Sequence, residues 1–326
     1  MRRLHVGDRP CILLTLTLLA LQGISSLAQG QSPAPDRYVS DMIILIGDVN
    51  NDPVRLVLTF SRGTTDRDTH TYAAECTGHV LVDSNWMHLG PGRYSCPETT
   101  LSAIPPSDIL HIRQSTEPPV FLVDFNDRMR PFRLRIDCLD FIADVTKEPN
   151  YQVQYDTGPA TLFLDKDTLT GTAIHCRQDF TGYNRLAGNT RGYFPGRHEF
   201  AALAGSDGSV FLFSSDPVAC FDTDTRVRTD FAACRTADGE TKVVFDSAHT
   251  LWPISSDSLY PGKPIPREWI TQVEGQRWQA HYADRGHFFY FTGFGIFAVE
   301  GNVLFRDTTY EVLGVVEHIH ARNEPR

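Results

Sequence analysis

Several signals that usually reveal an enzyme are missing from this 326-residue chain. It contains no nucleophile elbow, phosphate-binding loop, dinucleotide fingerprint or HExxH motif, and no two cysteines have zinc-finger spacing. Its net charge is −10 and no cluster of Lys and Arg interrupts the acidic balance. We therefore expect no cofactor and no metal ion, and the charge argues against a nucleic-acid partner or binding to anionic membranes.

Apolar runs long enough to cross a bilayer are also missing. The apolar stretch at residues 11–21 is about half the length that a membrane span needs. Arg2, Arg3 and Arg9 flank it on one side, and Ser26 and Ala28 supply small residues on the other. This order predicts a signal peptide over residues 1–28, with an uncleaved anchor as the alternative. We expect a protein of the secretory pathway, secreted or periplasmic, without stable membrane insertion after cleavage.

Cysteine usage agrees with export. Six cysteines lie beyond the signal segment, and an even number in an exported chain favours disulfides over free buried thiols, which are the alternative. Order along the chain suggests three local bridges, Cys76–Cys96, Cys138–Cys176 and Cys220–Cys234. The last is best supported, since two short strands around a polar turn would place its sulfurs across a hairpin.

Short strands dominate the rest of the pattern, and helical periodicity is nearly absent. Apolar or alternating runs such as MIILI, VRLVLTF, FRLRI and VFLF recur between turns rich in Gly, Pro, Asn and Asp. This spacing predicts an all-β protein made of antiparallel barrels or sandwiches. A change toward aromatic residues near residue 150 suggests two domains, at residues 35–148 and 150–320.

An ordered series of motifs in the second half carries a family resemblance. It comprises residues 169–175 (LTGTAIH), 179–180 (DF), 198–200 (HEF), 206–208 (SDG), 251–252 (LW), 260–261 (YP), 268–270 (EWI), 295–301 (GIFAVEG), 310–314 (YEVLG) and His318. The series resembles the lipocalin-like superfamily of carotenoid 1,2-hydratases, AttH-like proteins and fungal Diels–Alderases. The trio His198-Glu199-Phe200 departs from that superfamily, which tends to have Trp-Asp-Trp there.

The resemblance implies two lipocalin-like antiparallel β domains packed together, with a cavity for a small hydrophobic molecule. The aromatic residues suit such a cavity, because they can line an apolar pocket or simply fill a core. The substrate-binding candidates are Trp252, Tyr260, Trp269, Tyr290, His175, Arg177 and Glu311.

Three polar positions are candidates for acid–base chemistry: Asp179, Glu199 and His198. A carboxylate in an apolar pocket has a raised pKa and can donate a proton. Asp179 and Arg177 lie on one side of a strand, as a site or as a surface pair, whereas adjacent His198 and Glu199 face opposite sides. His175 faces away from Cys176, toward solvent or a cavity.

Three functions fit this sequence. The first is a cofactor-independent cyclase that resembles the Diels–Alderases and folds a hydrophobic polyene of secondary metabolism into a reactive conformer. The second is a hydratase that protonates an alkene and adds water. The third is a secreted carrier of lipophilic molecules without catalysis. The oligomeric state does not follow from the sequence.

Overall fold

The computed structural model describes about three quarters of the residues between 37 and 319. The described ranges are 37–49, 52–66, 71–82, 85–97, 110–116, 119–125, 131–137, 139–146, 151–164, 167–181, 198–215, 217–219, 226–228, 231–246, 248–251, 254–259, 264–273, 275–291 and 294–319. All regular elements within them are β-strands, which confirms the predicted all-β class. Within these ranges no helix is both long and apolar enough to span a membrane.

Ten strands form the first sheet, in the spatial order β4-β3-β2-β1-β10-β9-β7-β6-β5, with β8 paired to β9. All pairs are antiparallel, and the first strand in sequence pairs with the last. The strands are β1 (Arg37–Val49), β2 (Asp52–Asp66), β3 (Thr71–Val82), β4 (Asn85–Pro97), β5 (Leu110–Thr116), β6 (Pro119–Phe125), β7 (Phe132–Asp137), β8 (Asp140–Asp144), β9 (Tyr151–Leu164) and β10 (Asp167–Thr181).

Nine strands form the second sheet, in the order β16-β15-β12-β11-β23-β22-β21-β20-β17, and two short hairpins stand beside it. The first strand again pairs with the last. The strands are β11 (His198–Gly205), β12 (Val210–Ser215), β13 (Pro217–Ala219), β14 (Arg226–Arg228), β15 (Phe231–Arg235), β16 (Thr241–Phe245), β17 (Ala248–Leu251), β18 (Ile254–Leu259), β19 (Pro264–Pro266), β20 (Glu268–Val273), β21 (Trp278–Phe291), β22 (Phe294–Phe305) and β23 (Thr308–Ile319).

Both sheets curl around their own apolar cores. Phe121 of β6 and His175 of β10 are three strands apart, about 14 Å in a flat sheet, yet their ring centroids are 5.2 Å apart. Phe213 and Trp278 lie four strands apart in the second sheet, with centroids 5.5 Å apart. Curling encloses a first-sheet core of aliphatic residues and a second-sheet core rich in Trp and Phe. This architecture consists of two lipocalin-like β domains, as predicted.

A third cluster of buried residues joins the sheets, and we call it the inter-sheet core. Tyr155 of β9 stacks on Phe200 of β11 at a centroid distance of 5.7 Å, and it also contacts Phe231 of β15 at 5.5 Å. The buried guanidinium of Arg55 crosses the same space and donates a 3.3 Å hydrogen bond to the carbonyl of Val299. The outer faces of the two curled sheets are therefore packed together as one body.

The structure corrects the predicted division of the chain. β9 and β10, at residues 151–164 and 167–181, were assigned to a second domain that starts at residue 150, but they pair with β7 and β1 of the first sheet. The change of sheet therefore falls between Thr181 and His198. The aromatic residues that suggested a boundary near residue 150 lie mainly in the core of the second sheet.

The predicted disulfides do not agree with the structure either. Cys76 pairs with Gly92 and Cys96 with Tyr72, so four residues of ladder, about 14 Å, separate the two cysteines. A disulfide needs Cα atoms about 4–7 Å apart, which the register excludes for Cys76–Cys96.

Cys176 and Cys234, predicted to pair with Cys138 and Cys220, are free thiols in the structure. Both are buried among apolar side chains, and burial raises the pKa of each thiol to about 12. Cys138 and Cys220 lie outside the described residues.

Candidate functional site

A polar cluster lies on the inner face of the first sheet. Strand alternation places Ile43 and Leu45 of β1 in the first-sheet core, and Asp41 shares their face. On β10, Ala173 is part of the same core and His175 follows it on that face. Cys176, one residue on, belongs to the inter-sheet core. His175 thus faces the interior of the first sheet, one of the two orientations expected from the sequence.

His175 lies between two carboxylates from neighbouring strands. Its Nε2 donates to Oδ1 of Asp41 at 2.9 Å, and both side chains are almost fully buried. On its other side, Nδ1 is 3.7 Å from Oδ2 of Asp156, an ion-pair distance that is too long for a hydrogen bond. Asp156 occupies the register position directly opposite His175 on β9. Three adjacent strands, β1, β10 and β9, therefore supply one group each.

The two carboxylates keep the imidazole charged. Burial alone would lower the pKa of His175, but Asp156 and Asp41 outweigh that effect and raise the pKa to about 9. His175 is therefore an imidazolium at neutral pH, with both ring nitrogens protonated. The ring also packs against Phe121 at 5.2 Å between centroids, so the cation sits beside an apolar wall.

One nitrogen of this imidazolium is available for a further hydrogen bond. Among the described residues, Nδ1 of His175 has no hydrogen-bond partner although it is buried. A buried N–H without an acceptor costs free energy, so an acceptor oxygen at this position would be favourable. Nδ1 is therefore a charge-assisted hydrogen-bond donor that an acceptor oxygen beside Asp156 could engage.

Two of the site residues predicted from the sequence, His175 and Arg177, come together in this cluster. Arg177 follows His175 on the same face of β10 and is half-buried, directly opposite Asp41 in the register. Asp179 occupies the next position of that face, paired with Val39 and Gln152, but its side chain is outside the described part of the structure.

The remaining candidates that the structure describes lie on strands of the second sheet. Trp269 is fully buried, stacked on Tyr282 at 5.8 Å in the second-sheet core, and Glu311 is exposed on β23. His198 and Glu199 begin β11, paired with Ile319 and His318. The side chains of His198, Glu199 and Tyr290 fall outside the described part, as do Trp252 and Tyr260 entirely.

Asp41 and Asp156 were missed by the sequence analysis. The predicted strand began at Met42, one residue after Asp41, although Asp41 shares the alternation of Ile43 and Leu45. A strand begun one position earlier would have placed a carboxylate on the apolar face. No comparable local signal marks Asp156, which sits in a run of polar and apolar residues.

A cavity of about 340 Å³ lies elsewhere, where three turns of the second sheet meet. Its lining includes Asp207, Asp238, Glu240 and Tyr310, so it is polar and acidic. These groups already serve the turns: Asp207 accepts from the backbone N–H and hydroxyl of Ser209, and Glu240 pairs with Arg306. This cavity is not the apolar pocket expected from the aromatic residues.

The chain thus has a lipocalin-like fold of two curled antiparallel sheets, with ionisable groups enclosed in an apolar interior. No protein-family model matches the chain, and no curated protein matches it.

Solved structures share the fold. An AttH-like protein from Nitrosomonas europaea is similar with a TM-score of 0.56 and 10% identity, over 90% of this chain and 98% of that one. Kievitone hydratase from Nectria haematococca has a TM-score of 0.51 and 11% identity, over 88% and 89% of the two chains. CghA has a TM-score of 0.50 and 9% identity, over 91% of each. The fold predicted from the resemblance is thereby confirmed.

Proposed function

We propose that this chain is a cofactor-independent enzyme that cyclises a hydrophobic polyene, an intermediate of secondary metabolism, in a Diels–Alder-like reaction. The observation that carries the proposal is the buried imidazolium of His175, whose Nδ1 has no hydrogen-bond partner among the described residues. A carbonyl oxygen of the substrate would accept a hydrogen bond from Nδ1, which draws electron density from the attached alkene and activates it for cycloaddition.

The residues around His175 have separate roles in this proposal. Asp41 fixes the imidazole ring through Nε2, and Asp156 keeps the charge on it. The apolar wall around Phe121 excludes water, which strengthens the hydrogen bond to the carbonyl. The polyene would have to displace side chains of the first-sheet core to reach His175, and the enclosing sheet would then hold it in a folded conformer and so reduce the entropy cost of ring closure.

The high pKa of His175 favours cyclisation over hydration. Hydration of an alkene needs full transfer of a proton to carbon, and an imidazolium with a pKa of about 9 holds its proton tightly. A hydrogen bond to a carbonyl needs no transfer and benefits from a charge that stays in place. The site is therefore better suited to stabilise charge than to deliver a proton.

Hydration is the second candidate, and Glu317 is the observation that favours it. Burial raises the pKa of Glu317 to about 7, so its carboxyl carries a proton for part of the time at neutral pH. It stands between Phe200 and Ile296 on the strand face that packs against the first sheet. One of the structures that share the fold is named a hydratase. A carrier without catalysis is the third possibility.

Deletion of the gene in its host, followed by metabolite extraction, separates the three functions. We expect a linear polyene precursor to accumulate and its cyclised product to disappear. A dehydrated precursor would replace the cyclase with the hydratase, and an unchanged metabolite profile would refute both enzyme proposals.

Complementation then tests the site. His175→Gln keeps a polar side chain but loses the charge, and should lower product formation by about 10²-fold or more. His281→Gln removes an exposed histidine and should restore the wild-type profile. If His175→Gln restores it equally well, His175 is not the catalytic group.

A further inference from the structure

An exposed phenylalanine lies on the inner face of the first sheet, at the edge of the His175 cluster. Phe141 of β8 is 52% exposed, the highest value among the large apolar side chains that the structure describes. It pairs with Asp156 of β9, and residues directly opposite each other in an antiparallel ladder share a face. A β-bulge lets Ile142 and Ala143 both join the inter-sheet core, so Phe141 remains on the inner face.

The inner face of the first sheet becomes accessible to solvent toward this end. Along β9, Ala160 is 4% exposed, the Asp156 side chain is 28% exposed, and Gln154 is exposed. On β10, His175 is buried and Arg177, two residues further on, is half-buried. The curled sheet is therefore open at this end, which we call the entrance. The entrance consists of Phe141, Gln154, Asp156 and Arg177.

His175 is reached from the entrance past Asp156. Phe141, Asp156 and His175 lie in one row across β8, β9 and β10. Nδ1 of His175 is 3.7 Å from the carboxylate of Asp156, with no hydrogen bond between them. Since this carboxylate is partly in solvent, it can rotate outward and uncover Nδ1. A ligand whose oxygen binds Nδ1 would extend over Phe141, which is two strands, or roughly 10 Å, away.

The charges near the entrance select the head group of the ligand. Asp41 and Asp156 flank His175, and Asp144 is exposed at the rim on β8. Against these three carboxylates, the described residues place two cations at this end, His175 and Arg177. An anionic head group would be repelled by the excess negative charge, whereas a neutral carbonyl accepts a hydrogen bond without that penalty.

We infer that Phe141 is a specificity residue of the His175 site. The apolar chain of the ligand lies on the Phe141 ring, and an uncharged carbonyl reaches Nδ1 through the entrance. The ligand class is a conjugated polyene ester, ketone or aldehyde, and not a polyene acid. This inference rests on the proposed function, which assigns the carbonyl to Nδ1, but it concerns binding and is tested without ring closure.

Binding can be measured with cis-parinaric acid and its methyl ester, two conjugated tetraenes whose fluorescence rises in apolar surroundings. Each is titrated into the purified full chain near neutral pH, where the acid is ionised and the ester is not. We expect the ester to bind about 10-fold more tightly than the acid.

A charge variant separates this preference from the greater apolarity of the ester. Asp144→Asn removes one carboxylate at the rim and should reduce the ratio of the two affinities by about 2-fold. Asp307→Asn is the matched control, because Asp307 is exposed on the second sheet and its loss should leave the ratio unchanged.

Variants of Phe141 test the apolar contact. Phe141→Ser should weaken binding of the ester by about 5- to 10-fold, and Phe141→Leu, which keeps an apolar side chain, should weaken it less. Phe163→Ser is the matched control and should keep the wild-type affinity. Phe163 is 43% exposed on the neighbouring strand β9, but it pairs with exposed Arg133 on the outer face. Because Phe141 is largely in solvent, its replacement should leave the fold intact, which circular dichroism checks.

The position of the head group has its own readout. In protein labelled with ¹⁵N-histidine, the Nδ1–H resonance of His175, identified by its loss in His175→Gln, should shift as the ester binds. An ester that binds without moving this resonance lies elsewhere and refutes the assignment.

Two further results would overturn the inference: equal affinities for ester and acid, or equal ester affinities in Phe141→Ser and Phe163→Ser. Failure of the proposed function gives a different result. Gene deletion would then leave the metabolites unchanged, while the ester would still bind in a manner that depends on Phe141.

Discussion

His175 shows how a single residue gains chemistry from its surroundings. A histidine at an ordinary surface position loses its proton near neutral pH, but this one is enclosed with two carboxylates that favour the charged form. The same enclosure links its protonation to folding, because the folded state holds the proton more tightly than the unfolded chain does.

We predict that His175 stabilises the protein at neutral pH and not at high pH. Its pKa rises from 6.5 to about 9 on folding, which corresponds to about 3 kcal/mol of unfolding free energy. A raised pKa contributes stability that is complete below 6.5 and is lost as the pH rises through 9. Urea unfolding of wild type against His175→Gln should therefore give a difference that shrinks by about 2–3 kcal/mol from pH 7 to pH 10. A constant difference would contradict the assigned ion pairs.

At the scale of the element, close contacts between strand backbones limit which residues a strand can contain. Gly47 of β1 and Gly171 of β10 face each other across the ladder. A Cβ at Gly171 would lie 2.2 Å from the carbonyl oxygen of Ile46 and 2.6 Å from Cα of Gly47. The pairing of β1 with β10, in the middle of the first sheet, thus depends on the absence of side chains at Gly47 and Gly171.

We predict that Gly171→Ala destabilises the protein by about 3 kcal/mol or more, because backbone and not a flexible side chain must move. Gly208→Ala is the comparison, since Gly208 has φ of +89° with open space around it and should cost only about 1–2 kcal/mol. Chemical denaturation measures both. Equal losses of unfolding free energy would mean that the backbones of β1 and β10 are not in close contact at Gly171.

Strand identity was readable from the sequence, but strand partners were not. The FRLRI run alternates buried and exposed in β7 as its pattern predicts. The assignment of β9 and β10 was wrong because an apolar pattern records burial and not which strand lies alongside. The candidate site could not be predicted from the sequence for the same reason. Asp41 and His175 are 134 residues apart in sequence, and only the pairing of β1 with β10 brings them together.

At the scale of the whole molecule, the two sheets meet through side chains. Glu317 is an unusual member of that contact, because it lies between Phe200 and Ile296 of the inter-sheet core. Its raised pKa means that the folded protein resists ionisation of this carboxyl. Packing of the sheets should therefore weaken as the pH rises through the range in which Glu317 loses its proton.

We predict that Glu317→Gln stabilises the protein at pH 8 by about 1–3 kcal/mol and has almost no effect at pH 4. The pKa rises from 4.5 to about 7 on folding, so the cost of ionisation is absent below 4.5 and complete above 7. Partial exposure reduces the magnitude. Unfolding free energies at the two pH values measure it, with Glu311→Gln, exposed on the same strand, as control. A benefit that is equal at both pH values would rule out ionisation as its cause.

The pairing of the first strand with the last in each sheet has a consequence for the continuity of the chain. No described strand of one sheet pairs with a strand of the other, so a single peptide-bond cut between Thr181 and His198 leaves both ladders whole. Each half could then be produced as a separate polypeptide with its own hydrogen-bonded frame. Reassembly would rest on Tyr155, Phe200 and their neighbours, as in a heterodimer made from one gene.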